Sequence, residues 1–361
     1  MKINLKMTGK SALVLTDFRL PLRYVLPTIN GLAKNNNKVI VIAFFGEQSL
    51  AEVAAVAAKS LNRKFIDLPQ GASRLPEYDI PHVYFLRESA LLRDMRHGDI
   101  AVVENLNLLP HGEVSALARL ADVFVNDDFS ADQDKIVKFH QNLPVGHGLT
   151  LTLLEKRRDR FLSSSKKPIV LILGGLRLAG QEVLLDKLIA RADTVLVGGG
   201  VANLFFKLRD WEIGQSTVDG DADRKAAKKI LRDYGAKIKL PMDVIVALGS
   251  DRAASCKSSE KVKAGEMILD VGPQTTLDYS KYIKQAKTLI WCGALGRVET
   301  STFRHGTLAL LRLAASRPSK KETIFAASGE AIVNLLEKQG YFDDLDLVLP
   351  ETGALLKALT R

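Results

Sequence analysis

The chain has 361 residues, 47% of them hydrophobic, and carries 51 lysines and arginines against 41 aspartates and glutamates, a net charge of +10. That length exceeds one ordinary core and suits two domains, and the apolar content is enough to fill both, which excludes a disordered chain. Two cysteines with no CxxC spacing and six histidines with no HExxH pattern exclude a disulfide framework and a dedicated metal cage, so no metal ligands are assigned.

In chain order, the start "MKINLKMTGKSALVLTDF" lacks the sustained apolar region of a signal peptide. No run reaches the roughly 18 apolar residues of a membrane span, so a soluble cytoplasmic protein without a membrane partner is expected. The runs ALVLTDF, KVIVIAFF, IAVVEN and DVFVND read as strands, separated by helical stretches such as LAEVAAVAAKSL. This rhythm predicts parallel sheets wrapped by helices. After PVGHG, the segment LTLLEKRRDRFLSSSKKP has helical periodicity and ends in a serine cluster and Pro168, the pattern of a connection between domains. A second set of strands follows: IVLIL, TVLVGGG, KLPMDVIVA, TLIWCG, TIFAA and LDLVL.

The expected fold class is therefore α/β, with two doubly wound parallel-sheet domains joined by an interdomain helix. The N-terminal domain is placed at 1–148, the helix at 149–164 and the C-terminal domain at 165–361.

The positive charge favours anionic partners such as nucleotides, phosphorylated metabolites, nucleic acid or acidic proteins. It is scattered, however. Lys156, Arg157, Arg158 and Arg160 sit with Glu155 and Asp159, and Arg224, Lys225, Lys228 and Lys229 follow Asp221 and Asp223. Interleaved acids read as solvated helix faces with i,i+4 pairs, and nucleic acid is not the expected partner.

From Pro168 to Leu188 a strand, a glycine turn and a helix follow one another, the layout that often cradles a phosphate, yet the turn's only cation is Arg177. Four strand-end loops carry small residues: GGLRLAG, GGGVAN, CGALG and AASGEA. In open α/β sheets ligands bind at the carboxyl ends of strands, where small residues let them approach backbone amides. The same glycines also serve as tight turns, and spacing alone leaves both readings level.

The order of several segments resembles the phosphoglycerate kinase family across nearly the whole chain. They are DFRLP, VVENLN, FVNDDF, ILGGLRL, VGGGVAN, EIGQS, KLPMDVIVA, ILDVGPQT, WCGALGRVE and FRHGT. The resemblance implies a bilobed enzyme that moves a phosphoryl group between 1,3-bisphosphoglycerate and ADP. The acid substrate would lie on the first domain and Mg-ATP or Mg-ADP on the second, with hinge closure excluding water. Carried over by position, the substrate-binding candidates are Asp17, Arg19 and Arg23, and the catalytic candidate is Arg177. The nucleotide-binding candidates are Gly174, Gly175, Gly198, Gly199, Gly200, Pro273, Glu299 and Glu330.

The loops depart from the family pattern. Arg19 replaces an asparagine, and Arg23 is near but not at the position of a substrate arginine. Phe44 stands at a histidine, Glu47 and Asn107 at arginines, and Gln133 and Asp134 at a His-Arg pair. In the second half Arg177 keeps the charge of a phosphate-facing lysine, whereas Gln181 replaces the other lysine and Gly180 an aspartate. Gly329 takes the place of the metal-approaching aspartate with Glu330 one residue later, and LPETGAL retains one glycine beside Pro350 and Glu351. Ile268 replaces a glycine beside the base, and Cys292 an asparagine. Charge-assisted hydrogen bonds of the arginine type are worth about 1.5 to 3 kcal/mol each, so losing several together removes substrate capture.

The expectation is a catalytically degenerate homologue, a pseudoenzyme with a binding or assembly role, whose partner is a protein or an acidic ligand and whose Mg-ATP/ADP binding is weak or lost. The alternative is a phosphotransferase using Mg-ATP/ADP. It would be either phosphoglycerate kinase itself or a kinase for another acidic substrate, served by Arg19, Arg23 and Arg177 with Glu330 near the metal.

Overall fold

A computed structural model describes every residue except 1–5, 77, 141–142, 176, 219, 250–252, 317–322 and 361. Leu176 of the GGLRLAG loop and the side chain of Gln133 thus lie outside what is described. The chain divides into two compact units, Met1–Lys156 and Arg157–Arg361.

The first unit is built on seven strands: β1 Ser11–Leu15, β2 Lys38–Ile42, β3 Phe65–Asp67, β4 Val83–Leu86, β5 Ile100–Val103, β6 Val123–Asn126 and β7 Val145–His147. Every pairing is parallel, in the order β3-β4-β5-β2-β1-β6-β7. Helices α1 Leu22–Lys34, α2 Ala51–Ser60, α3 His111–Arg119 and α4 Gln133–His140 connect the strands. The central strands are buried along nearly their whole length, which is why they read as unbroken apolar runs rather than alternating ones. Helix α5 Leu149–Ser164 spans the division between the units.

In the second unit six strands form a parallel sheet. They are β8 Ile169–Leu173, β9 Thr194–Val197, β10 Ile238–Lys239, β14 Thr288–Cys292, β15 Ile324–Ser328 and β16 Leu347–Leu349, in the order β10-β9-β8-β14-β15-β16. The helices are α6 Glu182–Arg191, α7 Gly199–Lys207, α8 Asp221–Tyr234, α9 Pro273–Gln285, α10 His305–Ala315, α11 Glu330–Lys338 and α12 Thr352–Thr360. Between β10 and α9 lies a separate antiparallel sheet of β11 Asp243–Ala247, β12 Ser255–Ser258 and β13 Met267–Val271, with β11 in the middle.

The stretch KLPMDVIVA, expected to be one strand of the parallel sheet, is therefore two strands in two sheets. Pro241 separates β10 from β11 and has no N–H to offer a ladder, so the parallel sheet ends at Lys239. Tyr279 of α9 is buried against this boundary, its hydroxyl 2.7 Å from the Val197 carbonyl and 2.8 Å from that of Lys239, either of which it can donate to.

The charged helix faces behave as interleaved acids and bases should: Lys229 pairs with Asp233 one turn on and with Asp186 on α6. Among the described residues no helix is long and apolar enough to cross a membrane.

Candidate functional sites

In each parallel sheet the first strand lies between two strands reached in opposite winding directions. That switch point opens a crevice at the carboxyl ends, the usual place for a ligand in a doubly wound fold. In the first unit it falls between β1 and β6.

Asp17 follows β1 and is 1% exposed. Both of its oxygens are taken by Arg19, whose Nε donates to Oδ1 at 2.7 Å and Nη2 to Oδ2 at 2.9 Å. Two of the three substrate candidates are thus brought together as a bidentate ion pair, and the positive charge of Arg19 is answered within the chain. Arg23 is exposed on α1 with its guanidinium 5.3 Å from the Tyr24 ring. Phe44 packs against the core of this unit, the Asn107 amide donates to the Gly46 carbonyl, and Glu47 is exposed.

On the other side of the switch point Asp127 is fully buried and holds the start of α5. It accepts the Leu151 N–H at 2.9 Å and the Thr150 hydroxyl at 2.8 Å. Burial pushes its carboxyl up to about 6, against the opposing pull of these donors. Because this value lies above that of an unfolded aspartate, the folded chain holds the extra proton between about pH 4 and 6. Stability is gained as pH falls through that window and is lost as pH rises, by up to ~3 kcal/mol. Urea unfolding across pH 4 to 7 is expected to show this slope, and Asp127→Asn is expected to flatten it. An unchanged slope in the variant would refute the assignment.

In the second unit the switch point falls between β8 and β14. An open cavity of about 550 Å³ lies there, and all four small-residue loops reach its wall. Gly175 comes from the β8 loop, Gly199 and Gly200 from the start of α7, Gly293 to Gly296 from the β14 loop, and Gly329 with Glu330 from the start of α11. Ile268 and Leu269 of β13 form a further wall, beside Arg297 and Glu299. Asp270 is buried in the same wall, where it accepts the Gly306 N–H at the start of α10, and burial pushes its carboxyl up to about 7.

The glycines divide into two kinds. Gly175 and Gly200 meet the cavity, with nothing nearer than 3.7 Å to a Cβ added at either. Gly174 and Gly198 instead let backbones pass: a Cβ on Gly174 would stand 2.2 Å from the Ala294 carbonyl oxygen, and one on Gly198 2.6 Å from the Leu295 side chain. Pro273 opens α9 at an exposed position and is not part of the cavity wall.

Arg177 also lies outside the wall. Its side chain is 75% exposed, with Nη2 4.0 Å from the Asp223 carboxylate on α8. Among the described residues the cation on the cavity wall is Arg297, which the motif reading passed over although it adjoins CGALG. Asn203 and Thr217 were missed as well, and of these Asn203 closes the GGGVAN motif. Cys292 is fully buried at the end of β14, and burial pushes its thiol up to about 12, far from a reactive state. No cluster of three or more His, Cys, Asp or Glu suited to a metal occurs among the described residues.

Fold and site together define a doubly wound α/β protein with a glycine-lined cavity at the switch point of its second unit. The family model described as phosphoglycerate kinase matches residues 2–361, and the chain belongs to that family. It is 29% identical to the phosphoglycerate kinase of Sinorhizobium medicae over 382 residues, covering 97% of this chain and 92% of the relative. It is 30% identical to that of Mesorhizobium japonicum, covering 97% and 93%. Among solved structures, phosphoglycerate kinase from Coxiella burnetii superimposes with a TM-score of 0.66 at 26% identity, covering 99% of this chain and 95% of that one. The Pyrococcus horikoshii enzyme gives 0.75 at 20% identity with 100% and 96% coverage, a likeness of fold. The family is one of kinases that work in glycolysis with Mg-ATP/ADP.

Proposed function

We propose that this family member has given up phosphoglycerate kinase turnover and acts by binding, with a protein or an acidic ligand as its partner in the cytoplasm. The observation that carries the reading is the Asp17–Arg19 pair. At the carboxyl end of β1, beside the switch point of the first unit, Arg19 is bound bidentately by its own neighbour Asp17, so an incoming carboxylate or phosphate must compete with an internal carboxylate for it. Phe44, Glu47, Asn107 and Asp134, standing at the family's donor positions, offer no replacement for the charge.

The cavity of the second unit supports the same reading. It has room and small residues for the nucleoside portion of a nucleotide, while the carboxylates of Glu299 and Glu330 stand against the one charge of Arg297 on its described wall. Ile268 takes up part of the volume. Mg-ATP/ADP binding is accordingly weak or lost.

In a coupled assay with 1,3-bisphosphoglycerate and ADP, the protein is expected to give no rate above a heat-inactivated control. A kcat in the ordinary enzyme range of about 1 to 10³ s⁻¹ would overturn the reading. One observation favours phosphotransfer to another acidic substrate instead: Glu330, the first residue of α11, reaches the cavity wall where a magnesium ion on a bound nucleotide would need a carboxylate. Tight binding of Mg-ADP, lost on removal of magnesium, would select that alternative.

A further inference from the structure

The turn that follows β8 is held by a carboxylate from a different element. Asp223, in the first turn of α8, is 1% exposed, and its Oδ1 accepts the backbone N–H groups of both Leu178 and Ala179. Among the described residues its enclosed Oδ2 has no hydrogen-bond donor, and the cation beside it is Arg177, Nη2 at 4.0 Å. A carboxylate taken out of water must be compensated by donors and an opposite charge. Here the turn supplies both, the donors from its backbone and the charge from its one cation.

A phosphate arriving in the cavity would draw on the same resources: amides at the end of a strand and a cation able to reach it. Arg177 is two residues beyond Gly175, which does line the cavity, while its own guanidinium lies 4.0 Å from the Asp223 carboxylate.

We propose that Asp223 is a positioning residue that turns Arg177 towards α8 and so sets the specificity of the cavity against phosphorylated ligands, leaving it selective for a nucleoside over the corresponding nucleotide. This rests on the reading that the cavity of the second unit accepts a nucleoside portion. Asp223→Asn is the informative change, because an asparagine oxygen still accepts the Leu178 and Ala179 N–H groups while the charge that draws Arg177 is gone.

The test is calorimetric titration of adenosine and of Mg-ADP into the wild type, Asp223→Asn, and Asp223→Asn combined with Arg177→Ala, at low salt. The quantity read is the ratio of the adenosine Kd to the Mg-ADP Kd. In the wild type the ratio is expected to be one or less. In Asp223→Asn it rises roughly three- to fivefold, the scale of one partly exposed ion pair redirected to a ligand phosphate, and with Arg177→Ala added it returns to the wild-type value.

A loosened turn would weaken both ligands together and leave the ratio unchanged, which would refute the proposal. So would a rise that persists without Arg177. Failure of every variant to bind either ligand would also overturn it, since no preference would then exist for Asp223 to set. Turnover in the coupled assay would defeat the proposed loss of activity separately, without altering how the ratio is judged.

Discussion

Gly174→Ala is expected to lower the unfolding free energy by about 3 kcal/mol or more and to abolish ligand binding in the cavity of the second unit. The added methyl would meet the Ala294 carbonyl oxygen at 2.2 Å, its carbon at 2.6 Å and the Gly293 carbonyl oxygen at 2.6 Å. All three are backbone atoms, so no side chain can rotate away. The same crossing is tied by the Gly174 N–H donating to the Cys292 carbonyl at 2.8 Å and the Gly175 N–H to the Ala294 carbonyl at 2.7 Å. Relief would require the β8 and β14 loops to separate, breaking both bonds at the point where the cavity is walled. Overpacking in a core typically costs 1 to 3 kcal/mol, and a clash between two backbones belongs at or beyond the upper end of that range. Urea denaturation supplies the measurement, and a loss below about 1 kcal/mol would show that the loops yield.

Asp243→Ala is expected to cost about 3 kcal/mol, because one buried carboxylate organises the junction of β11, β12 and α9. Its Oδ1 accepts the Thr275 N–H at 2.7 Å and lies 2.7 Å from the Thr275 hydroxyl, while Oδ2 accepts the Gln274 N–H at 3.0 Å and faces the Cys256 thiol at 3.5 Å. Two of these donors belong to the first turn of α9, so the substitution removes a helix cap, worth about 1 kcal/mol, and leaves buried donors unanswered, at about 1 to 3 kcal/mol.

The pH dependence gives an independent check. Burial pulls the Asp243 carboxyl upward, but the donors from Thr275 and Gln274 outweigh it, and the net shift is below the ordinary carboxylate value. A depressed acid stabilises the fold in its ionised form, an effect fully present above the unfolded pKa of about 4 and lost as pH falls through the lower folded value. The gap between wild type and Asp243→Ala should therefore be widest above about pH 5 and narrow towards pH 2. A gap independent of pH would rule out the ionised network as its source.

What the sequence disclosed, and what it did not, follows from the range over which each signal acts. IVLIL, TLIWC and KVIVI are strands buried on both faces, so a local apolar run suffices to identify them. Strand β7 has three residues, one of them glycine, and β12 is SCKS with almost no burial, so neither carries a pattern to read. The convergence of four glycine loops was legible because strand ends in a doubly wound sheet share one edge. The engagement of Arg19 by Asp17, two residues away, and of Arg177 by Asp223, in another helix, was not legible. Motif position records that a cation is present and says nothing of the carboxylate that folding brings beside it.

The break at Pro241 gives the second unit a seam. On one side is the six-stranded parallel sheet that holds the glycine loops, and on the other is a three-stranded antiparallel sheet that supplies Met267, Ile268 and Leu269 to the cavity. Among the described residues β13 pairs with β11 and with no strand of the larger sheet, so the ladder that carries the glycines does not run through this wall; the two are joined instead by the Arg297 N–H donating to the Leu269 carbonyl at 2.8 Å. The cavity is in this respect a mould with one separately hung panel, latched to the rest at the loop that follows β14.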